Sequence, residues 1–358
     1  MSQHACPRPM LVLILLVGIW GCTDEPDRAG GPGALSELHL DTTAVIGSLE
    51  GEEWEVFGAI QTVAPGPDGV VAILDGQSAS VTLVDADGQP VDGIRARGEG
   101  PGELNRPQWM AWEGRDLHVL DPSNGRISVF HLEGDALEFT SSVSTNLWGP
   151  TNFCHLDGDR WISSWRDGAP IHRLDSEGAS AATLSDPPEV PELAGVEGAP
   201  RDVALFDLAA SWLVCLPAEN ALVEVGVAYP RIRRHALSGA DGEARAEWTT
   251  RPEEIHPLTV EIVNGGGVGI RPHPETGSHL ARSAFLWDTD HLLVQYEPMH
   301  PPGTDSEESY LESRLFELAT GAEVDRSRAL PLLMAADDSH LFAVQNEPWP
   351  RVLVLERP

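Results

Sequence analysis

The chain has 358 residues, of which 41% are hydrophobic and 22% are charged, a composition typical of a globular protein. All 23 basic residues are arginine, and 56 aspartates and glutamates bring the formal net charge to -33. Without lysine there is no Schiff-base lysine and no phosphate-binding loop ending in Gly-Lys-Ser/Thr. The acidic balance also excludes the basic surface that nucleic acid requires, so no nucleic-acid partner is expected.

The N-terminus has the features of an export signal. Leu11–Trp20 is an apolar run of ten residues, and Arg8 is the positive side chain that precedes it. A bilayer core requires about 20 helical residues, so this run is too short to span a membrane. A short apolar segment behind a positive charge is typical of a secretory signal peptide.

The sequence Ile-Trp-Gly-Cys at residues 19–22 resembles the lipobox of bacterial lipoproteins. The resemblance implies that residues 1–21 are removed and that Cys22 becomes the lipidated first residue. Residues 22–34 would then form a flexible tether, because they are rich in Gly, Pro and acidic residues. The chain is therefore expected to be exported and to contact the bacterial envelope membrane only through its lipid. By the same resemblance, Thr23 after the cysteine favours sorting to the outer membrane.

Beyond the tether, short β-branched runs alternate with turn residues, which is typical of strands joined by hairpins. Val70–Asp75 and Leu117–Asp121 are equivalent runs, and their final aspartates are 46 positions apart. The segment that begins at His291 repeats in the segment that begins at His340. Four strands in each period of 40 to 50 residues predict an all-β fold, a β-propeller of four-stranded antiparallel blades.

The two ends of residues 35–358 predict how the ring closes. The C-terminus supplies three strands, near Leu332–Ala335, His340–Val344 and Arg351–Leu355. The strand-like stretch Leu35–Ile46 can supply the missing outer strand of that last blade, which removes an exposed edge. The sequence therefore predicts a monomeric propeller body with six blades.

One segment breaks the period. Leu216 and Tyr296 occupy equivalent positions but are 80 residues apart. Residues at about 241–279 are therefore predicted to be an insertion between blades four and five, with a seventh blade as the alternative.

Cys154 and Cys215 are the cysteines that remain in the exported body, and both lie in apolar, strand-like runs. Two buried free thiols are the favoured interpretation. A disulfide between them remains the alternative, because the envelope is an oxidising compartment.

The segments Gly98–Pro107 and Leu117–Phe130 resemble the six-bladed propeller proteins related to the NHL repeat, many of which are bacterial envelope lipoproteins. The resemblance covers residues 56–130 and implies the propeller fold. It does not imply an activity, because this fold carries binding modules, lyases and lactonases.

In a propeller, the turn after each second strand and the loop between blades open on one face, around the central channel. Polar and aromatic residues at these places are predicted to form a ligand-binding rim. The candidates are Asp75, Glu99, Glu103, Asp121, Arg126, Trp165, Arg166, Glu219, Tyr296, Glu297 and Glu347. An acidic rim that holds a few arginines would suit a cation, a basic peptide or a glycan.

The sequence has no His-Glu-x-x-His, Cys-x-x-Cys or Gly-x-Ser-x-Gly motif, and no metal-ligand set or cofactor is predicted from it. The favoured function is a lipid-anchored binding or scaffold module for an envelope protein, peptide or glycan. The alternative is a metal-dependent lyase or lactonase-type hydrolase that holds a divalent cation on the channel axis. These observations favour a non-enzymatic protein, and whether it is an enzyme stays open.

Overall fold

The computed structural model describes residues 35–85, 87–147, 149, 151–238, 243–263, 267–301 and 310–358. The predicted signal peptide, Cys22 and the tether lie outside these residues. In the part of the chain that is described, no helix has both the length and the apolar character needed to cross a membrane.

Six four-stranded antiparallel sheets form the blades of a β-propeller, which confirms the predicted fold class. The strands in chain order are β1 (Thr42–Ile46), β2 (Ile60–Pro65), β3 (Val71–Asp75), β4 (Ser80–Val84), β5 (Pro90–Ile94), β6 (Trp109–Glu113), β7 (Asp116–Asp121), β8 (Arg126–Glu133), β9 (Ala136–Ser144), β10 (Asn152–Leu156), β11 (Asp159–Arg166), β12 (Ala169–Leu174), β13 (Ser180–Leu184), β14 (Ser211–Leu216), β15 (Ala221–Gly226), β16 (Ile232–Ser238), β17 (Glu243–Thr250), β18 (Thr259–Val263), β19 (Gly267–Arg271), β20 (Ser278–Leu286), β21 (His291–Met299), β22 (Glu312–Glu317), β23 (Glu323–Ser327), β24 (Leu332–Ala336), β25 (His340–Gln345) and β26 (Arg351–Glu356). The helix α1 is Ala199–Leu208, and short 3-10 helices lie at Leu35–Glu37, Glu53–Glu55, Pro67–Gly69, Pro191–Leu193 and Pro217–Glu219.

Blades one to five are β2–β5, β6–β9, β10–β13, β14–β17 and β20–β23, and the last blade is closed by the N-terminal strand. Its order is β24, β25, β26, β1, with Val45 opposite Leu353 and Ile46 opposite Val352. The first strand of each blade contacts the first strands of its two neighbours, so these six strands surround the central channel. Six blades and closure by the N-terminal strand are both confirmed.

The segment between blades four and five is shorter than the insertion expected at 241–279. Glu243–Thr250 is β17, the outer strand of blade four, and blade five already begins at Ser278. Between them, β18 and β19 form a two-stranded hairpin, which is too small to be a seventh blade. The hairpin contacts α1 and shares an apolar cluster with it, in which Val260 and Leu205 are buried.

The hydrophobic core is divided among the interfaces between neighbouring blades. Strand alternation produces this arrangement, because successive side chains point to opposite faces of a sheet. In β6, Met110 and Trp112 pack towards blade one, whereas Trp109 and Ala111 pack towards blade three. Both faces of a blade are therefore covered, and all five residues of β3 are buried.

Cys154 and Cys215 form a disulfide, whereas the sequence favoured two free thiols. Cys154 lies in β10 and Cys215 lies in β14, the first strands of blades three and four. Their Cα atoms are 5.8 Å apart, within the range that a disulfide requires. The bond covalently joins two neighbouring blades.

Candidate ligand-binding mouth of the propeller

The central channel opens at the end of the ring where the first strands of the blades begin. A cavity of about 670 Å³ lies there, with a second cavity of about 310 Å³ beside it, and Gln61 and Trp212 line both. We call the residues that line these two cavities the mouth. The first cavity is lined by Gly58, Ala59, Ile60, Gln61, Trp212, Val227, Leu280, Ala281, Arg282, Leu332, Met334, Val344, Asn346 and Pro350. The second is lined by Gln61, Gly76, Arg106, Pro107, Gln108, Trp109, Thr151 and Trp212.

Two tryptophans form the aromatic part of the mouth. The rings of Trp109 and Trp212 have centroids 5.2 Å apart and an interplanar angle of 46°. Each indole N–H donates a hydrogen bond to a backbone carbonyl of the next blade, Trp109 to Phe153 at 2.9 Å and Trp212 to Ala281 at 2.9 Å. These bonds fix the ring orientations, so the mouth presents a preformed aromatic surface to a ligand.

The polar residues of the mouth are amides and arginines. Gln61, Gln108 and Asn346 are exposed and offer both hydrogen-bond donors and acceptors. Arg106 and Arg282 are the cationic residues. Among the described residues, no aspartate or glutamate lines either cavity, although the whole chain carries a net charge of -33. The excess of acidic residues is therefore not gathered at the mouth.

Arg282 reaches the mouth because of an irregularity in β20. The register with β21 shifts between Ala281 and Ser283, so Arg282 is an extra residue in the first strand of blade five. Its Nη1 atom lies 3.3 Å from a carboxylate oxygen of Glu297. Both side chains are partly exposed, so the pair remains accessible to solvent and to a ligand.

Two of the predicted rim residues, Asp75 and Asp121, are buried structural groups. Both are 1% exposed or less. The Asp75 carboxylate accepts hydrogen bonds from the backbone N–H groups of Gly58, Ala59, Gln77 and Ser78. The Asp121 carboxylate accepts hydrogen bonds from Asn105, Arg106 and Asn124. Each aspartate therefore holds two parts of its blade together, the turn after the second strand and the loop that precedes the first strand.

The loop between blades one and two is held by Arg126. Its guanidinium donates to the carbonyl of Glu99 at 3.1 Å and to the carbonyl of Glu103 at 2.8 Å. The Glu103 carboxylate accepts a hydrogen bond from the backbone of Gly100 at 2.8 Å. The Glu99 side chain is exposed. Of these three predicted rim residues, Arg126 and Glu103 stabilise the loop itself.

Trp165, Arg166 and Tyr296 lie in second strands, the first two at the end of β11 and Tyr296 within β21. Trp165 is 7% exposed and packs in the apolar cluster of α1. Arg166 donates to the carbonyl of Asn146 at 2.6 Å. Tyr296 is 1% exposed, its hydroxyl has no hydrogen-bond partner within the described residues, and burial raises its pKa.

The last three candidates are glutamates, and they do not share one face. Glu297 lies beside the mouth because it forms an ion pair with Arg282, which lines it. The exposed Glu347 is adjacent in sequence to Asn346. Glu219 lies at the opposite end of the ring, because β14 is the first strand of blade four and not the second. There it forms an ion pair with Arg234, with an N–O distance of 2.6 Å.

The sequence prediction did not include the residues that line the mouth. Gln61, Trp109, Trp212, Arg282 and Met334 all lie in first strands, the first three at or next to the residue where the strand begins. The signal available in the sequence was the pair of tryptophans at the first position of β6 and the second position of β14. It could be used only once the first strand of each blade was known.

The sequence alternative required carboxylates and imidazoles to converge on the channel axis. In the described ranges, one group of three or more His, Cys, Asp or Glu side chains has potential ligand atoms within 4.8 Å of one another. It consists of Glu113, His118 and His155 and lies between blades two and three, with no member lining the mouth.

No family model and no curated protein matches this chain. Among solved structures, a Bacteroides fragilis protein predicted to be exported is similar, with a TM-score of 0.58 and 10% identity over 89% of this chain and 95% of that chain. A member of the DUF4221 family from Bacteroides vulgatus has a TM-score of 0.52 and 10% identity, over 89% of this chain and 98% of that chain. At 10% identity the similarity supports the six-bladed propeller fold and does not indicate a shared activity.

Proposed function

We propose that this protein is a lipid-anchored propeller of the bacterial cell envelope that binds a glycan or peptide ligand at the mouth. The ligand can be free or part of an envelope protein. The observation that carries the proposal is the composition of the mouth, which combines two fixed tryptophan rings with exposed amides and two arginines and has no acidic residue among its described lining.

The chemistry of the mouth limits the class of ligand that can bind there. A cation or a basic peptide would need carboxylates, and those nearest to the mouth, such as Glu297, lie outside its lining. Aromatic faces and amides suit the apolar faces and hydroxyl groups of sugars or the backbone of a peptide. The arginines add a preference for a ligand that carries carboxylate or phosphate groups.

Three observations support export and anchoring. The lipobox-like sequence ends at Cys22, and the disulfide between Cys154 and Cys215 is of a kind that persists in oxidising compartments. One structurally similar Bacteroides protein is predicted to be exported. Labelling with a radioactive fatty acid tests the anchor: wild type is expected to be labelled, and Cys22→Ser is expected not to be. Label that persists in the variant would refute lipidation at this residue.

The mouth is tested by a matched pair of tryptophan variants. Trp212 and Trp248 each donate an indole hydrogen bond to a carbonyl of the next blade, at 2.9 Å in both cases, but Trp212 alone lines the mouth. The purified protein is applied to arrays of envelope glycans and acidic peptides, and Kd is then measured for the retained probes. Trp212→Ala is expected to weaken binding by about 2 kcal/mol, roughly 30-fold in Kd.

Trp248→Ala is expected to leave Kd unchanged, because its ring is remote from the ligand. Arg106→Gln is expected to weaken the binding of acidic probes more than the binding of neutral ones. Equal effects of the two tryptophan variants, or the absence of any retained probe, would contradict a binding function at the mouth.

A further inference from the structure

Glu113, His118 and His155 meet where blade two faces blade three. Glu113 is the last residue of β6, His118 lies in β7, and His155 lies in β10. Ala111 is directly opposite His118 in the register, and Glu113 lies two residues further along β6, on the same face. Glu113 lies four residues beyond Trp109, about 13 Å along the strand, so the group is remote from the mouth.

The two distances from Glu113 to the histidines are close to those between the ligands of a small metal ion. The Oε2 atom of Glu113 lies 3.3 Å from Nδ1 of His155 and 3.6 Å from Nε2 of His118. In tetrahedral coordination with bonds of 2.0 to 2.1 Å, neighbouring ligand atoms are about 3.3 to 3.4 Å apart. The distance to His155 already has this value and the distance to His118 exceeds it by a few tenths of an ångström, while all three ligand atoms lie within 4.8 Å of one another.

The two histidines are buried and have ring nitrogens without partners. The side chains of His118 and His155 are 3% and 8% exposed. Nδ1 of His118 and both ring nitrogens of His155 have no hydrogen-bond partner within the described residues. A buried polar atom without a partner is costly, and a bound ion would satisfy Nδ1 of His155, the unpartnered ring nitrogen that faces Glu113.

Arg160 is the charged group that opposes a cation at this place. It lies opposite His155 in the register between β10 and β11, so both side chains project from the same face. The carboxylate of Glu113 offsets this charge and is 38% exposed, which keeps the group open to solvent.

We propose that Glu113, His118 and His155 form a binding site for a divalent transition-metal ion, with zinc as the best match. Two imidazoles and one carboxylate suit zinc, whereas calcium and magnesium require mainly oxygen ligands. Three protein ligands leave one coordination position for water or another small ligand on the exposed side of Glu113. The ion would link blade two to blade three, as the disulfide links blade three to blade four.

The test is calorimetric titration of the chelator-dialysed full chain with zinc chloride. We expect one tight site per chain, and Glu113→Gln is expected to weaken it by about 100-fold or more, because loss of a second-shell partner alone costs roughly 10- to 100-fold. His131→Gln is the matched control. His131 lies in blade two with its Nδ1 2.6 Å from Asp116, but both side chains are 44% exposed and the described residues offer no third ligand beside them.

Two further measurements separate loss of the site from loss of the fold. Circular dichroism and thermal unfolding of the metal-depleted proteins should be alike for wild type and Glu113→Gln, because Glu113 is partly exposed. Cobalt(II) should give the intense visible absorption of tetrahedral coordination in wild type and in His131→Gln, and should not give it in Glu113→Gln. Arg160→Gln should tighten zinc binding by removing the opposing charge.

Weak binding of many zinc ions with no effect of Glu113→Gln would show that the surface carboxylates alone hold the metal, and would overturn the proposal. An equal loss of affinity in His131→Gln and Glu113→Gln would also overturn it. Because the mouth variants and Glu113→Gln affect opposite ends of the ring, failure of the metal site leaves the proposed ligand binding unaffected.

Discussion

Glu224 is the residue whose replacement is expected to destabilise the propeller most clearly. It is completely buried in β15 of blade four. Its carboxylate lies 2.8 Å from Nη2 of Arg231 and 3.2 Å from Nε2 of His235, and it accepts a hydrogen bond from Ser185 at 2.6 Å. Since Ser185 follows blade three, this network joins blades three and four. The perturbation is Glu224→Gln, which keeps the shape of the side chain and removes its charge.

The size of the effect follows from two independent arguments. Arg231 is 6% exposed, and the loss of one partner from a buried ion pair typically costs about 3 to 5 kcal/mol. Burial by itself raises the pKa of Glu224, but His235, Arg231 and Ser185 together outweigh burial and lower it from 4.5 to about 2. A difference of this size between the folded and unfolded chain corresponds to about 3 kcal/mol.

The pKa shift also predicts a pH dependence. A carboxyl with a lowered pKa stabilises the folded state above the unfolded pKa of 4.5, and this contribution is lost as pH falls towards about 2. The difference in stability between wild type and Glu224→Gln should therefore be full at pH 7 and should shrink between pH 4.5 and pH 2.

The assay is urea unfolding followed by tryptophan fluorescence at pH 7, 4.5 and 3, with the disulfide intact. Glu219→Gln is the matched control in the same blade. Glu219 is 47% exposed and its partner Arg234 also pairs with Glu247, so a loss of at most about 1 kcal/mol is expected. A Glu224→Gln variant that is as stable as wild type at pH 7, or a difference that does not change with pH, would refute this reasoning.

Two more predictions concern how the ring is held closed. Reduction of the disulfide between Cys154 and Cys215, which are 61 residues apart, should lower the free energy of unfolding by about 4 kcal/mol, and the Cys154→Ala/Cys215→Ala variant should no longer respond to dithiothreitol. A wild type indifferent to reductant would contradict this. Ile46 in β1 is 2% exposed, so Ile46→Ala should cost about 3 kcal/mol in urea unfolding, whereas Val45→Ala, 55% exposed on the same strand, should cost about 0.5 kcal/mol or less. Equal losses would show that the inner face of β1 is not packed as described.

The blades could be predicted from the sequence because a blade is a local structure. Runs such as Val70–Asp75 and Leu117–Asp121 are short, β-branched and bounded by turn residues, and their repetition defines the unit. Closure by Leu35–Ile46 was predictable for a related reason, since the last blade lacks one strand and an open edge is unfavourable.

The candidate site was much less predictable, because it depends on which strand of each blade is innermost. Ser211–Leu216 is the first strand of blade four, which places Trp212 at the mouth and Glu219 at the opposite end of the ring. Strand periodicity is the same for a first and a second strand, so the sequence pattern could not distinguish them.

The sequence by itself determined the all-β class and the order of the blades along the chain, since these follow from local periodicity, and it favoured six blades over seven. Only the tertiary structure decided which side chains meet. Cys154 pairs with Cys215, and His118 lies beside His155, because the blades on which they lie face one another. The overall charge was likewise known from the composition, but the absence of acidic residues from the described lining of the mouth results from how the six blades are arranged.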